Sequence, residues 1–253
     1  MQAAALKVAY GKLVNAGQSG YKTSLGWDDV KFIQQNTKLP LVLKGVLTPE
    51  MAKQALAQYG IVVGSHILQI NDIKEERFNP MGVSDAELAE LHAKKFAVMD
   101  DAVGEKMQER ILQAKSELNS VGGVIEAIAL HLPAGIGAPY FDSVESMLSH
   151  ALFSVPAVKG VEFGDGFGFA GLTGAEANDA LHYVDGKVQA LTNHNGGVTG
   201  GITNGMPLVV RVAIKPTPSI AREQQTVSLK EQADTTLAIV GRHDPCIVQR
   251  AVP

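Results

Sequence analysis

Residues 193–220 constrain the fold more than any other part of the sequence. Five glycines fall between Gly196 and Gly205, and an apolar run from Leu208 to Ile214 follows them. A short apolar run bounded by turn residues is typical of a strand that is buried on both faces. The sequence therefore predicts a glycine-rich loop, then a buried strand, then an exit that begins at Lys215.

The same stretch has the chemistry to hold an anion. Successive backbone N–H groups in a glycine-rich loop can form an anion-binding nest, and glycine lets the backbone approach a ligand closely. Lys215 adds a positive charge, while Thr217 and Ser219 add hydroxyl donors. Two interpretations stay open from the residues alone. One is a phosphate-binding loop, and the other is a hairpin turned at Asn204-Gly205 and followed by a proline-rich turn.

Composition limits the classes of protein to consider. The 253 residues suffice for one large domain or two small ones, and 45% hydrophobic with 19% charged residues indicates a globular chain. A net charge of −4 gives no general attraction to nucleic acid or to an anionic membrane. The single cysteine, Cys246, excludes an internal disulfide and a cysteine-based zinc site. We expect a soluble cytoplasmic protein with no signal peptide, no membrane or nucleic-acid partner and no metal.

Helices and apolar strands alternate along the chain. Ser84 and Glu87 form a capping box before one helix, and Asp100 precedes a longer amphipathic helix. The alternation predicts a mixed α/β (α+β) fold. We expect His66 and His131, inside two of the strands, to be structural. Besides the run that ends at Ile214, apolar patterns predict strands at 61–73, 124–132, 158–163 and 235–240.

The segment Gly166–Gly171 matches the dinucleotide-binding pattern G-x-G-x-x-G, and Asp185 lies at a suitable distance for a ribose contact. This would suggest a nicotinamide-dependent dehydrogenase. The context does not fit, because two phenylalanines occupy the turn and Gly174 stands where a helix should be running. The pattern favours a glycine-rich loop between strands.

A second concentration of polar groups lies near the C-terminus. Arg242, His243 and Asp244 are adjacent, between Gly241 and Pro245. They could form an Arg–Asp surface pair, which contributes little to stability. They could instead form a site in which Arg242 binds an anion beside a proton-transferring Asp244 or His243.

The first fifth of the chain resembles FMN-dependent α-hydroxy acid oxidases. The resemblance is carried by WDDVKFIQQNTKLPLVLKGVLTPEMAKQAL. It implies that Lys44 follows a barrel strand at 41–43 and faces a flavin. The rest of that family's barrel and its catalytic histidine are absent, and one or two strands cannot close a barrel. We also expect a short amphipathic helix at residues 1–14.

The remaining four fifths resemble a different family. The segments that carry this resemblance are SVPAVKGVEFGDGF, TGAEANDA, NGGVTGGITNG, KPTPSI and GRHDPCIVQRAVP. Upstream, IVVGSHILQI and VGEKMQERILQAKSELNSVGGVIE fit the same pattern. From about residue 52 onward the chain is similar to the chorismate synthase family.

This resemblance implies a phosphate-eliminating lyase of the shikimate pathway, which serves aromatic amino acid biosynthesis. The implied reaction converts 5-enolpyruvylshikimate 3-phosphate to chorismate by a 1,4-elimination. It implies reduced FMN as the cofactor, although no net redox change occurs, and a homotetramer. The implied architecture is a sandwich of sheets with helices between them.

The resemblance also implies the site residues. Asp244 corresponds to the catalytic carboxylate near the flavin N5. The implied flavin-binding residues are Pro156, Ala157, Gly200, Lys215, Pro216, Thr217, Pro218, Ser219 and Arg242.

The chain departs from the family pattern at both ends. The family's N-terminal part, which carries two histidines and an arginine-rich substrate loop, is replaced by the oxidase-like segment. Gln249 stands where the family has a proline, and the family continues past Pro253. We expect two segments, 1–52 and 53–253, with the second incomplete at both ends. The alternative to an active synthase is a catalytically inactive chimera or fragment that at most binds FMN.

Overall fold

A computed structural model describes residues 27–37, 49–241 and 243–251. The chain divides into two compact units, Met1–Thr48 and Pro49–Pro253. In the first unit the structure describes helix α1 (Trp27–Asn36). The helix expected at residues 1–14, the strand at 41–43 and Lys44 lie outside the described residues.

A five-stranded antiparallel sheet forms the centre of the second unit. Its strands are β1 (Val62–Ile70), β2 (Ile73–Lys74), β3 (Gly123–Leu130), β4 (Val158–Phe163) and β9 (Leu208–Ile214), in the order β2-β1-β3-β9-β4. Two-stranded hairpins are formed by β5 (Leu181–Val184) with β6 (Lys187–Ala190), β7 (Val198–Thr199) with β8 (Ile202–Thr203), and β10 (Gln224–Ser228) with β11 (Ala233–Leu237).

The apolar run after the glycine-rich loop is an inner strand of this sheet, as predicted. Strand β9 pairs with β3 on one side and β4 on the other, so its backbone groups are satisfied along both edges. Every side chain in it except that of Ala213 is buried. The mixed helix-and-sheet class predicted from the sequence is confirmed.

Four helices accompany the sheet, and three of them start at a capping side chain. They are α2 (Pro49–Ala57), α3 (Asp85–Ala93), α4 (Asp101–Ser116) and α5 (Val144–Phe153). The capping box of α3 is confirmed: Glu87 N–H donates to Ser84 Oγ at 3.2 Å, and Ser84 N–H donates to Glu87 Oε2 at 2.7 Å. Asp100 caps α4 through Ala102 N–H at 2.8 Å, and Ser143 caps α5.

Both faces of the sheet are covered by apolar side chains. One cluster joins Ile125 and Val212 to Met107 of α4, and the other joins Ile128 and Val209 to Leu88 of α3. Successive strand residues point to opposite faces of a sheet. Ile125 and Ile128 are an odd number of residues apart, as are Val209 and Val212, so the two clusters lie on opposite faces. This burial on both faces explains why the strands have nearly continuous apolar runs.

Two local expectations are corrected by the structure, and the rejection of a dinucleotide site is supported. The strand expected at 235–240 lies two residues earlier, in the exposed β10–β11 hairpin outside the main sheet. The G-x-G-x-x-G segment forms a 3₁₀ helix, Gly166–Gly171, which ends at Leu172, so it does not open the long helix of a dinucleotide site. The hairpin turn lies at Gly200-Gly201, both with positive φ, and not at Asn204-Gly205.

The two strand histidines differ. His66 is fully buried, with both ring nitrogens bonded, which fits its expected structural role. The side chain of His131 is 59% exposed and lies 3.4 Å from Asp85, so it is not a core residue. Its position one residue beyond β3 explains the difference, because the chain leaves the sheet there with a φ of 61°.

Candidate functional site

The segment that follows β9 is fixed to the segment that precedes β4. Lys215 N–H donates to the carbonyl oxygen of Ala157 at 2.9 Å. Ala157 has a φ of 73°, in the left-handed region that only a constrained turn imposes on a residue with a Cβ. The side chains of Lys215 and Pro156 are exposed. Two groups of predicted flavin-site residues therefore meet at this end of the sheet.

Thr217 has an uncommitted hydroxyl in this segment. Its carbonyl oxygen accepts a hydrogen bond from Ser120 Oγ at 2.6 Å, which fixes the backbone. Its side-chain Oγ1 is buried and has no hydrogen-bond partner among the residues that the structure describes. An unsatisfied buried hydroxyl costs about 1–3 kcal/mol. A ligand atom with which this hydroxyl could bond would remove that penalty, so the residue fits a binding site.

The C-terminal loop reaches the same end of the sheet. Val121 N–H, just before β3, donates to the carbonyl oxygen of Pro245 at 2.8 Å. The two terminal guanidinium nitrogens of Arg250 hold Asp244, with Nη2 at 3.0 Å from Oδ1 and Nη1 at 2.9 Å from Oδ2. The side chain of Asp244 is 31% exposed. The ring Nε2 of His243 lies 2.8 Å from the carbonyl oxygen of Ile239. Arg242 lies outside the described residues.

Close backbone packing at this end depends on Gly122. A Cβ on that residue would lie 2.3 Å from the carbonyl oxygen of Ile214 and 3.0 Å from the nitrogen of Pro216. Glycine is therefore required where the start of β3 crosses the exit of β9. This contact keeps the three segments around Ala157, Thr217 and Asp244 close together.

Gly200 lies elsewhere. It belongs to the β7–β8 turn, where the carbonyl oxygen of Gly201 accepts a 3.0 Å hydrogen bond from Val144 N–H at the start of α5. Pro156 and Ala157 follow the other end of that helix, whose ten residues span about 15 Å. The predicted flavin-binding residues are therefore split between two regions.

A large open cleft lies on the Gly200 side. Its volume is about 1480 Å³, and it is lined by the β5–β6 hairpin, the end of β3 and residues of the glycine-rich loop, including Asn195, Thr199 and Asn204. None of the residues from Lys215 to Ser219 lines it. The cleft is wide and offers few charged groups, whereas the Lys215 end of the sheet has an exposed lysine and is joined to Ala157 by a hydrogen bond.

Asp179 organises the loop beside this cleft, and the sequence analysis did not identify it. It accepts hydrogen bonds from Thr192 Oγ1 at 2.8 Å, from His194 N–H at 2.7 Å and from the backbone and side-chain nitrogens of Asn195 at 3.0 Å and 2.8 Å. Burial raises the pKa of Asp179, but these donors outweigh burial and the pKa is lowered. Asn178, which precedes Asp179 in TGAEANDA, favours turns, and this Asn-Asp pair was the sequence signal for a structured loop.

A second network missed by the sequence analysis joins Glu126 and Arg211 inside the sheet. Arg211 Nη1 donates to Glu126 Oε1 at 3.0 Å, and both side chains are almost fully buried. Their positions within otherwise apolar strands were the signal, because charged residues are almost never fully buried unless they are paired.

A membrane-spanning helix and a metal-binding cluster are both absent from residues 27–37, 49–241 and 243–251, which are the residues that the structure describes. No helix in these ranges is both long and apolar enough to cross a bilayer. The same ranges contain no cluster of three or more histidine, cysteine or acidic side chains that could hold a metal ion.

The chain matches two family models. One, described as chorismate synthase, matches residues 42–253, and the other, described as FMN-dependent dehydrogenase, matches residues 3–67. A solved structure titled "Crystal Structure of Chorismate Synthase" has a TM-score of 0.61 and 31% sequence identity, over 66% of this chain and 52% of that chain.

Curated relatives named chorismate synthase cover the same part of the sequence. The protein from Methanocella arvoryzae is 42% identical over 80% of this chain and 54% of its own length. The protein from Thermococcus kodakarensis is 44% identical over 82% of this chain and 56% of its own length. The chain thus spans about half the length of the curated relatives it matches. Because the chorismate synthase model matches more than half of its residues, this chain belongs to the chorismate synthase family.

Proposed function

We propose that this chain takes part in the chorismate synthase reaction. In that reaction 5-enolpyruvylshikimate 3-phosphate loses its 3-phosphate and a proton from C6, a new carbon–carbon double bond forms, and chorismate and inorganic phosphate result. Family membership supports the proposal, since the family model covers residues 42–253. The observation that carries it is the buried hydroxyl of Thr217, which has no partner among the described residues, within the segment attached to Ala157.

The residues at the Lys215 end suit a phosphorylated, planar cofactor. Lys215 supplies an exposed positive charge for a phosphate, and the hydroxyls of Thr217 and Ser219 supply donors. Pro156, Pro216 and Pro218 restrict the backbone, so little conformational freedom is lost on binding. We propose reduced FMN as the group held there, together with Ala157, Gly200 and Arg242. Bound reduced FMN would supply the electron-rich ring on which this elimination depends.

Asp244 is the proposed proton acceptor. Arg250 holds its carboxylate in one orientation through two contacts, at 3.0 Å and 2.9 Å. Each carboxylate oxygen keeps a further lone pair after these contacts, so the group can still accept a proton from a bound molecule. Its 31% exposure leaves it accessible from outside the fold.

The test is anaerobic formation of chorismate from 5-enolpyruvylshikimate 3-phosphate with reduced FMN. Asp244→Asn keeps the shape of the side chain and removes its ability to accept the proton, so the rate should fall about 10²-fold or more. Asp234→Asn, on the exposed hairpin strand β11, is the matched control and should keep the parent rate. No chorismate above the rate without protein would contradict the proposal.

Three further assignments belong to the same proposal. We propose a homotetramer, which is supported by exposed apolar side chains on the β5–β6 hairpin, such as Leu181 at 70% and Tyr183 at 79% exposure. Light scattering would measure the assembly.

We propose a cytoplasmic location, which the single cysteine supports. We also propose a boundary near residue 52, which the overlap of the two family matches at 42–67 supports.

A further inference from the structure

A row of four polar side chains, three of them buried, crosses four of the five strands. His66 on β1 lies directly opposite Glu126 on β3, Glu126 lies opposite Arg211 on β9, and Arg211 lies opposite Glu162 on β4. His66 and Glu126 are 0% exposed and Arg211 is 3% exposed. The strand register therefore builds one continuous polar line inside an otherwise apolar sheet.

Each carboxylate in the row accepts hydrogen bonds from N–H donors. Arg211 donates to Glu126 Oε1 at 3.0 Å, to Glu162 Oε1 at 2.6 Å and to the carbonyl oxygen of Gly164. Glu126 Oε2 also accepts from the backbone N–H of Phe78 at 2.6 Å. Both oxygens of Glu126 therefore accept hydrogen bonds. Donors directed at both oxygens favour the ionised carboxylate over the protonated form, in which one oxygen carries a hydrogen.

His66 lies between two such carboxylates. Its Nδ1 contacts Glu75 Oε1, and its Nε2 is 3.1 Å from Glu126 Oε2, with the two glutamates 2% and 1% exposed. A neutral imidazole carries one N–H and can donate to one of them. The imidazolium carries two N–H groups and can donate to both. The geometry thus requires an additional proton in this cluster.

That proton belongs on the imidazole and not on Glu75. Glu75 already accepts hydrogen bonds from Met99 N–H at 3.0 Å and Asp100 N–H at 3.1 Å through its Oε2, and Met99 N–H lies 3.3 Å from its Oε1. Both of its oxygens therefore already accept from backbone N–H groups, as the two oxygens of Glu126 accept from Phe78 and Arg211. Two buried negative charges on either side of the ring then favour the imidazolium.

We propose that His66 keeps both ring protons across the neutral pH range and acts as a pH-sensitive lock that ties Glu75, and with it the start of α4, to the sheet. Glu75 follows the two-residue edge strand β2, whereas Glu126 lies on an inner strand and is also held by Arg211 and Phe78. When the ring loses a proton, Glu75 is therefore the carboxylate that separates, and Met99 and Asp100 lose their acceptor.

The direction of the pH dependence follows from the surrounding charges. Burial lowers the pKa of His66, but the hydrogen bonds and charges of Glu126 and Glu75 outweigh burial and raise it. The further charged groups are Arg211, which lies opposite Glu126, Glu162, which lies opposite Arg211, and Asp100, whose backbone N–H donates to Glu75. A raised folded pKa means that the stabilisation is complete below about pH 6.5 and is lost as pH rises through the folded value.

The first test is nitrogen-15 NMR of the histidine rings in the full chain at about pH 7. Both nitrogens of His66 should resonate at the position of protonated imidazole and move only at alkaline pH. At that pH the protection of the Met99 and Asp100 amides against hydrogen exchange, relative to amides of β9, should fall. A neutral His66 tautomer at about pH 7 would overturn the proposal.

The second test compares His66→Gln with His150→Gln, which changes an exposed histidine of α5. The urea midpoint of His66→Gln should be lowest relative to the parent near pH 6, and the difference should shrink as pH rises through the raised folded pKa and the parent loses the proton. His150→Gln should follow the parent throughout. A difference between His66→Gln and the parent that is the same at every pH would also overturn the proposal. If His66→Gln does not fold, the NMR test on the parent decides.

Discussion

At the scale of single residues, the buried polar groups separate into those that are paired and those that are not. Arg211 is paired with two carboxylates and a carbonyl, so its charge is compensated inside the sheet. Thr217 Oγ1 is buried with no partner among the described residues. A substitution of Arg211 should therefore lower the stability of the fold, whereas a substitution of Thr217 should weaken ligand binding.

Thr217→Val should weaken FMN binding without destabilising the fold. Valine has nearly the same shape, and the lost hydroxyl bonds to none of the residues that the structure describes, so the free energy of unfolding should stay within about 0.5 kcal/mol of the parent or rise. Affinity for FMN should fall about tenfold, the effect of one hydrogen bond of about 1.4 kcal/mol. Fluorescence quenching of FMN measures the affinity, and Thr226→Val on the exposed β10 strand is the control. Unchanged affinity in Thr217→Val would remove Thr217 from the site.

Arg211→Met should destabilise the fold strongly. The substitution leaves Glu126 buried beside a new apolar side chain and removes the donors to Glu162 and Gly164. Removing one partner of a buried ion pair costs about 3–5 kcal/mol. Urea unfolding measures the change, and Arg222→Met, at an exposed position, should stay within about 0.5 kcal/mol of the parent. Equal stability of the two variants would show that the pairing contributes little.

At the scale of elements, local sequence patterns predict the helices and the strands of the main sheet. They do not predict which strands pair in the hairpins. The capping box of α3, the Asp100 cap of α4 and the apolar runs of β3, β4 and β9 identify these elements, because those signals are contained within a few residues. The apolar pattern at 235–240 predicted a strand near β11, but all five residues of β11 are exposed, so the pattern gave neither its bounds nor its place outside the main sheet. Its pairing depends on the two strands meeting, which residue patterns alone did not reveal.

Gly122→Ala should disturb the junction between β3 and the exit of β9. The added Cβ would lie 2.3 Å from a backbone oxygen, so the backbone must shift. Overpacking of this kind costs about 1–3 kcal/mol, and the shift should also weaken FMN binding at the Lys215 end. Gly171→Ala meets no atom within 4 Å and is the matched control. Thermal unfolding with an FMN titration checks both effects. A Gly122→Ala variant as stable as Gly171→Ala would contradict the close packing.

At the scale of the whole molecule, acid should destabilise the fold through its buried carboxylates. Burial raises the pKa of Glu126, but the bonds from His66, Phe78 and Arg211 outweigh burial and lower it. The pKa of Asp179 is also lowered. A lowered folded pKa means that the stabilisation is complete above the unfolded value of about 4 and is lost as pH falls through the folded value.

Urea unfolding between about pH 6 and pH 3 measures this loss. Asp179→Asn should be less stable than the parent at neutral pH, and the difference should narrow as pH falls, because the parent's carboxylate becomes protonated. Asp234→Asn, on the exposed β11, should run parallel to the parent. A constant difference between Asp179→Asn and the parent would show that Asp179 does not contribute through its charge.

The sequence by itself determined the class of fold, the buried strand at Leu208–Ile214, the helix caps and the family, because each depends on neighbouring residues or on ordered motifs. The tertiary structure alone decided which distant side chains meet. Strand register places His66 opposite Glu126, which is 60 residues away, and folding buries the Thr217 hydroxyl away from every possible partner in the described part of the chain. It also separates Gly200 from Lys215 by the length of α5. Register and burial are properties of paired strands, so the separate patterns of the two partners did not specify them.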